Sequence, residues 1–95
     1  MENYRLSENA KIDLKRIYLR GLNLYGEAQS DAYYNAFFDR FDKISEQPWL
    51  YPAVENIRIG YRRSVCGVDN IYYRISDNTV EIMAIIGQQD TEKWI

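Results

Sequence analysis

Apolar side chains recur at helical intervals through the first half of the chain and at alternating positions through the second. Tyr4 to Ser7 reads as a short strand, after which Ser7 or Asn9 supplies a helix N-cap. Ala10, Leu14, Ile17, Gly21 and Tyr25 then fall on one helical face, with Lys11, Lys15, Arg16 and Arg20 elsewhere, which predicts a helix ending near Gly26. A second pattern starts at once: Glu27 stands in its first turn, and Tyr33, Phe37, Phe41 and Ile44 follow at intervals of four, four and three, as a buried stripe requires. Pro48 ends it, and the near absence of a loop at Gly26 makes the two segments a helical hairpin. Ile12, Leu19 and Leu22 lie off the main stripe of the first helix. They belong either to a surface that a partner covers or to a wide buried stripe in a thin domain.

Trp49 to Asn56 contains Pro52 and has no period, so it is a loop crossing away from the helices. IRIGYRRSV, VDNIYYRIS and TVEIMAIIG then read as three strands, rich in β-branched and aromatic residues and separated by Cys66-Gly67 and Asp77-Asn78. The Asp-Asn pair is a tight-turn signal that makes the last two strands a hairpin. The order is β-α-α-β-β-β, and the economical packing is α+β: a helical hairpin on one face of a small antiparallel sheet. The last strand, which carries Ile85, is a possible edge able to accept a strand from another chain. No internal repeat or linker interrupts the pattern, and 95 residues make one domain, 1–95.

Composition narrows the chemistry. With 46% hydrophobic and 27% charged residues the chain can bury a core and is not expected to be disordered. Nine tyrosines, three phenylalanines and two tryptophans suit both a thin core and a contact surface. Cys66 is the one cysteine and histidine is absent, so neither a disulfide nor a structural zinc site is expected, and no cofactor or metal is called for. Without a histidine to activate it, Cys66 is a weak nucleophile candidate. No signal pattern and no membrane-length apolar run is visible, so a soluble, cytoplasmic protein is expected.

The net charge is −2, yet from Ile57 to Ile75 four arginines, Arg58, Arg62, Arg63 and Arg74, face the single acid Asp69. Such a patch meets nucleic acid, an acidic partner or the solvent. Strand alternation sends Arg62 and Arg63 to opposite sheet faces. Arg62 either contacts a partner or pairs internally and covers apolar surface with its stem, and Arg74, next to Tyr73, has the same two readings. Trp94 either packs back on its own domain or anchors a complex.

Several segments are also familiar in their order and spacing. YRLSENAKIDLKRI carries Leu6, Ser7, Ala10, Asp13, Leu14 and Ile17 in a strand, Ser-x-x-Ala, Asp-Leu-x-x-Ile start. GEAQSDAYYNAFFDRFDKISEQP carries Gly26, Tyr33, Phe37, Phe41, Ile44 and Pro48. IRIGYRRSVCGVDNIYYRI carries an arginine-x-glycine-x-arginine and isoleucine-x-tyrosine-arginine pattern through Arg58, Gly60, Arg62, Gly67, Ile71, Tyr73 and Arg74, and VEIMAIIGQQDTEKWI supplies a last strand and short tail. Over nearly the whole chain this resembles the ParE family of gyrase-targeting toxins, and more remotely the RelE family of ribosome-dependent mRNA interferases. One departure is Gly87, in the region after the last strand where the family often has histidine.

The resemblance implies a non-enzymatic toxin of a toxin–antitoxin pair that traps DNA gyrase on cleaved DNA and is neutralised, in a hetero-oligomer, by a ParD-like antitoxin. On that reading the basic patch and the terminus make Arg58, Arg62, Arg74 and Trp94 candidate target contacts, the off-stripe positions and the last strand make Ile12, Leu19, Leu22 and Ile85 candidate antitoxin contacts, and neither a catalytic residue nor sequence-specific binding of nucleic acid is expected. The alternative is a RelE-type interferase, which needs a base for the ribose 2′-hydroxyl and an acid for the leaving oxygen. With no histidine and no tyrosine after Tyr73, Glu81 or Asp90 would have to substitute, and nothing in the spacing requires it.

Overall fold

The computed structural model describes residues 4–87. Strand β1 (Tyr4–Leu6) leads into helices α1 (Glu8–Tyr25) and α2 (Glu27–Glu46), and strands β2 (Arg62–Cys66), β3 (Asp69–Ser76) and β4 (Thr79–Gly87) follow. The sheet order is β1-β4-β3-β2; β2, β3 and β4 run antiparallel, while β1 joins β4 in parallel, which makes the sheet mixed. Both helices pack on one face of it, as the α+β reading expects.

Ser7 explains how the first strand and helix meet the last strand. Its hydroxyl caps α1 by accepting from Ala10 N–H at 3.0 Å and donates to the Met83 carbonyl at 2.9 Å, while its own N–H donates to the Ile82 carbonyl. The helix start is thereby fastened to β4, 76 positions away in sequence. At the far end of α1, Gly26 has φ 93, a conformation L side chains rarely adopt, and there the chain reverses into α2 without a loop. Near the reversal a Cβ on Gly21 would stand 2.6 Å from the Ser30 Oγ, so glycine lets the two helices approach, and the Ser30 hydroxyl donates to the Tyr18 carbonyl.

The main core lies between helices and sheet: Leu14, Ile17, Phe37, Phe41 and Ile44 meet Ile71, Tyr73, Ile82 and Ile85. A second, smaller cluster lies on the other side of the sheet, where Val54, Ile57 and Tyr61 from the crossing segment cover Tyr72 and Ile86. That cluster corrects the reading of a strand beginning at Ile57. Residues 55–60 form turns, with Ile57 and Arg58 N–H both donating to the Val54 carbonyl and Gly60 at φ 85, because an apolar segment laid across the sheet's back cannot also extend alongside it. Tyr25, expected on the buried face of α1, is exposed instead, since the helix has run past the sheet by its last turn.

Asp77 and Asn78 take positive φ values of 53 and 61, the two-residue hairpin turn that their side chains favour. Between Tyr72 and Tyr73 the β3–β4 register shifts by one residue, leaving Met83 as a bulge.

Candidate functional site

A concavity of about 810 Å³ opens between the C-terminal half of α1, the first half of α2 and the β2–β3 turn, with Gly87 at its margin. Leu24, Tyr25 and Val68 line it as exposed apolar side chains. At its floor lies Asp69, wholly buried although it begins a strand. Its Oδ2 accepts from the Tyr33 hydroxyl at 2.8 Å and lies 3.7 Å from Arg20 Nη2, while its Oδ1 has no hydrogen-bond partner among the described residues. The Tyr33 hydroxyl also lies 2.9 Å from the Cys66 carbonyl and accepts from the Val68 N–H. The tyrosine therefore ties α2 to the β2–β3 turn. Burial, and then the Asp69 carboxylate, push its pKa far above the usual tyrosine value.

The arginines of the basic stretch separate by role. Arg62 donates from Nη1 to the Tyr51 carbonyl at 2.6 Å, and its guanidinium lies 4.7 Å from the Trp49 ring centre. It holds the turn after α2, which Tyr73 also fastens by donating to the Pro48 carbonyl at 2.6 Å. Burial raises the Tyr73 pKa to about 12, against an opposing effect of Arg62. Arg58 is exposed and lies over the Tyr61 ring at 5.6 Å. Arg74 donates from Nε to Glu81 Oε1 at 2.7 Å, and Arg5 donates from Nε to Glu81 Oε2 at 3.0 Å. Those two bonds, Arg74 first, hold the Glu81 carboxyl below its ordinary range. Arg58 and Arg74 thus share the helix-free side of the sheet, while Arg62, opposite Tyr73, serves the helix side.

Ile12 and Leu19 are exposed on α1, at 62% and 48%, and Leu22 is half-buried. Ile85 corrects the expectation of an accessible contact: it is 0% exposed, at the centre of the main core. Nor is β4 an edge, since it lies between β1 and β3. Beyond the three residues that β1 covers, α1 takes over: Asp13 accepts the Ile85 N–H at 2.9 Å and Arg16 donates to the Ile85 carbonyl at 3.0 Å. The same device guards the opposite edge, where Arg40 donates to the Val65 carbonyl and the Ser64 hydroxyl. Trp94 lies outside the described residues.

Among those residues no three His, Cys, Asp or Glu side chains gather as metal ligands would, and no helix is long and apolar enough to cross a membrane. Burial raises the Cys66 thiol pKa, which makes it less reactive.

Residues 4–91 match the family described as the ParE toxin of the type II toxin–antitoxin system parDE. The chain belongs to the ParE toxin family. Toxin ParE1 of Caulobacter vibrioides is 34% identical over 88 residues, covering 93% of this chain and 91% of that one. Toxin ParE1 of Mycobacterium tuberculosis is 25% identical over 87 residues, covering 90% and 89%. A solved chain of the chromosomal ParDE toxin–antitoxin system from P. aeruginosa superimposes with a TM-score of 0.80 at 15% identity, over 92% of this chain and 96% of that one, and shares the fold. Within this ParE domain the sequence left three features unnoticed: the Tyr33–Asp69 pair, the Arg5–Glu81–Arg74 cluster and the Arg62 lock on the turn after α2. Each joins elements whose pairing only the fold sets, and the parallel β1–β4 contact had no local signal.

Proposed function

We propose that this ParE-family toxin binds DNA gyrase, holds it on cleaved DNA without itself performing catalysis, and is neutralised in the cytoplasm by a ParD-like antitoxin. The observation that carries this reading is the ParE family match across residues 4–91. The states of two tyrosines, Tyr33 on α2 and Tyr73 on β3, agree with it. Tyr33 and Tyr73 are occupied as hydrogen-bond donors with raised pKa values, far from the range in which a base takes a ribose proton near neutral pH. Glu81, the described residue named above as a substitute, has both oxygens engaged by arginines. Poisoning requires only that the toxin bind one state of its target more tightly than the others.

For the antitoxin, the surface best suited is the outer face of α1 with the adjoining groove. Ile12, Leu19, Leu24 and Val68 form exposed apolar positions there, and Leu22 borders them. For the target, Arg58 and Arg74 remain accessible, and Arg62 contributes by presenting the exposed Trp49 ring.

The test is a supercoiling and cleavage assay with purified gyrase beside translation-coupled mRNA cleavage on ribosomes. Gyrase-linked DNA breaks with intact mRNA are expected; cut mRNA with normal gyrase would overturn the reading in favour of an interferase.

A further inference from the structure

The helix-free side of the sheet carries a charge pattern that lies apart from the apolar surface proposed for the antitoxin. Arg74 pairs with Glu81 across β3 and β4, and Arg5 pairs with the same Glu81 across β1 and β4, so Arg5 and Arg74 stand on opposite sides of one carboxylate. Both reach it through Nε. A guanidinium has four further N–H donors on its two terminal nitrogens, and neither arginine uses them among the described residues. The two side chains are 56% and 48% exposed, whereas Glu81 is 17% exposed. The acid is thus sunk between two forks whose free edges face solvent, and it fixes their orientation.

Two more cations flank the pair. Arg58 lies over Tyr61, and Tyr61 packs in the cluster on this same side. Arg63 pairs opposite Tyr72, a member of that cluster, and its side chain makes no hydrogen bond or ion pair among the described residues. Four arginines therefore stand with Glu81 and the loop acid Glu55, on a protein of net charge −2. Among the described residues the rings on this side, Tyr61 and Tyr72, are buried, so none of them offers a face to an unstacked base. What remains is a spread of guanidinium edges, the arrangement that meets successive phosphates and conveys no sequence preference.

We propose that the Arg5–Glu81–Arg74 cluster, flanked by Arg58 and Arg63, is a phosphate clamp for the backbone of duplex DNA. The choice of DNA over other polyanions rests on the proposed function, since a toxin holding an enzyme on cleaved DNA works beside a duplex. Arg5 and Arg74 contact phosphates, and Glu81 is a positioning residue that turns their free N–H groups outward.

The experiment is fluorescence anisotropy of a labelled mixed-sequence duplex of about 20 base pairs with the purified toxin across a salt series, with no gyrase present. Weak binding is expected, with affinity falling as about the third power of salt concentration. The double change Arg5→Ala, Arg74→Ala lowers affinity at least about tenfold and reduces that power by about two. The lysine pair, Arg5→Lys with Arg74→Lys, keeps the charge and loses the fork, and is expected to recover binding only in part. Glu81→Gln adds a positive unit yet is expected to bind no more tightly, because the orientation is gone. Tighter binding by Glu81→Gln, full recovery by the lysine pair, preference for single-stranded DNA, or displacement of the duplex by polyglutamate at equal charge would each overturn the clamp. So would the absence of salt-dependent binding by a toxin with a normal melting curve. Because gyrase trapping is scored separately, trapping without duplex binding sinks the clamp alone, and duplex binding without trapping sinks the gyrase reading alone.

Discussion

The backbone of Gly67 lies against the ring of Tyr33, so closely that a Cβ there would stand 2.5 Å from Cε1 and 2.7 Å from the hydroxyl. Glycine is required for a second reason, a φ of +60 in the β2–β3 turn. Gly67→Ala is expected to destabilise the domain by about 2 kcal/mol or more, from left-handed strain and displacement of the tyrosine. Urea unfolding measures it, and a midpoint unchanged from the parent would show that the contact carries no stability.

Tyr33→Phe keeps the ring and removes the only described hydrogen bond to the buried Asp69 carboxylate. A loss of about 1–3 kcal/mol is expected, the range for leaving a buried acceptor unsatisfied. Tyr33→Phe with Asp69→Leu is expected to cost less than the sum of the two single changes, and a double-mutant cycle reads the difference. Strict additivity would mean that the pair is not coupled.

Arg62→Ala releases the turn after α2 by removing the donor to the Tyr51 carbonyl and the cation over Trp49. The expected cost is about 1–2 kcal/mol. In a Trp94→Phe background Trp49 is the sole tryptophan, and its emission should shift when the guanidinium is lost. An unaltered spectrum with weakened gyrase trapping would assign Arg62 to target contact instead.

Removing the side-chain cover of β4 should expose the strand. Asp13→Ala unpairs the Ile85 N–H and is expected to cost about 1–2 kcal/mol and to increase concentration-dependent association, followed by light scattering. A variant that stays as monodisperse as the parent would show that the stretch of β4 beyond β1 needs no such guard.

At alkaline pH the half-buried Tyr33 and the buried Tyr73 weaken the fold. The unfolded chain releases tyrosine protons near pH 10, whereas Tyr73 holds its proton to about 12 and Tyr33 beyond the ordinary range. Stability from these groups is full below pH 10 and falls between about 10 and 12, because only the unfolded chain gives up the protons there. Phenolate absorbance of the native protein should accordingly report fewer than the nine tyrosines at pH 11, the remainder ionising on denaturation. Nine ionising together before unfolding would contradict the burial.

Local rules were enough for the elements themselves. The stripes of Leu14 and Ile17 and of Phe37, Phe41 and Ile44, the glycine between the helices and the Asp77-Asn78 turn each act through neighbours within about one turn of chain, so their periods and turn chemistry are readable in order. The run through Ile57 misled for the same reason: β-branched residues mark packing on a pleated surface, and Ile57 is half-buried by lying across the sheet, not within it. Ile85 misled because alternation says that a strand has a buried face but not which face the helices cover, and Ile85 lies beneath them in the main core. The edge reading of β4 failed because β1 docks on it in parallel, which no local pattern signals. The same docking placed Arg5 beside Glu81, 76 positions away, and the packing of α2 on the β2–β3 turn placed Tyr33 beside Asp69, 36 positions away. Local pattern alone set which segments are helix or strand, and resemblance set which family they compose. Long-range pairing determined which charges share a surface, because that depends on register between strands and no local pattern encodes it.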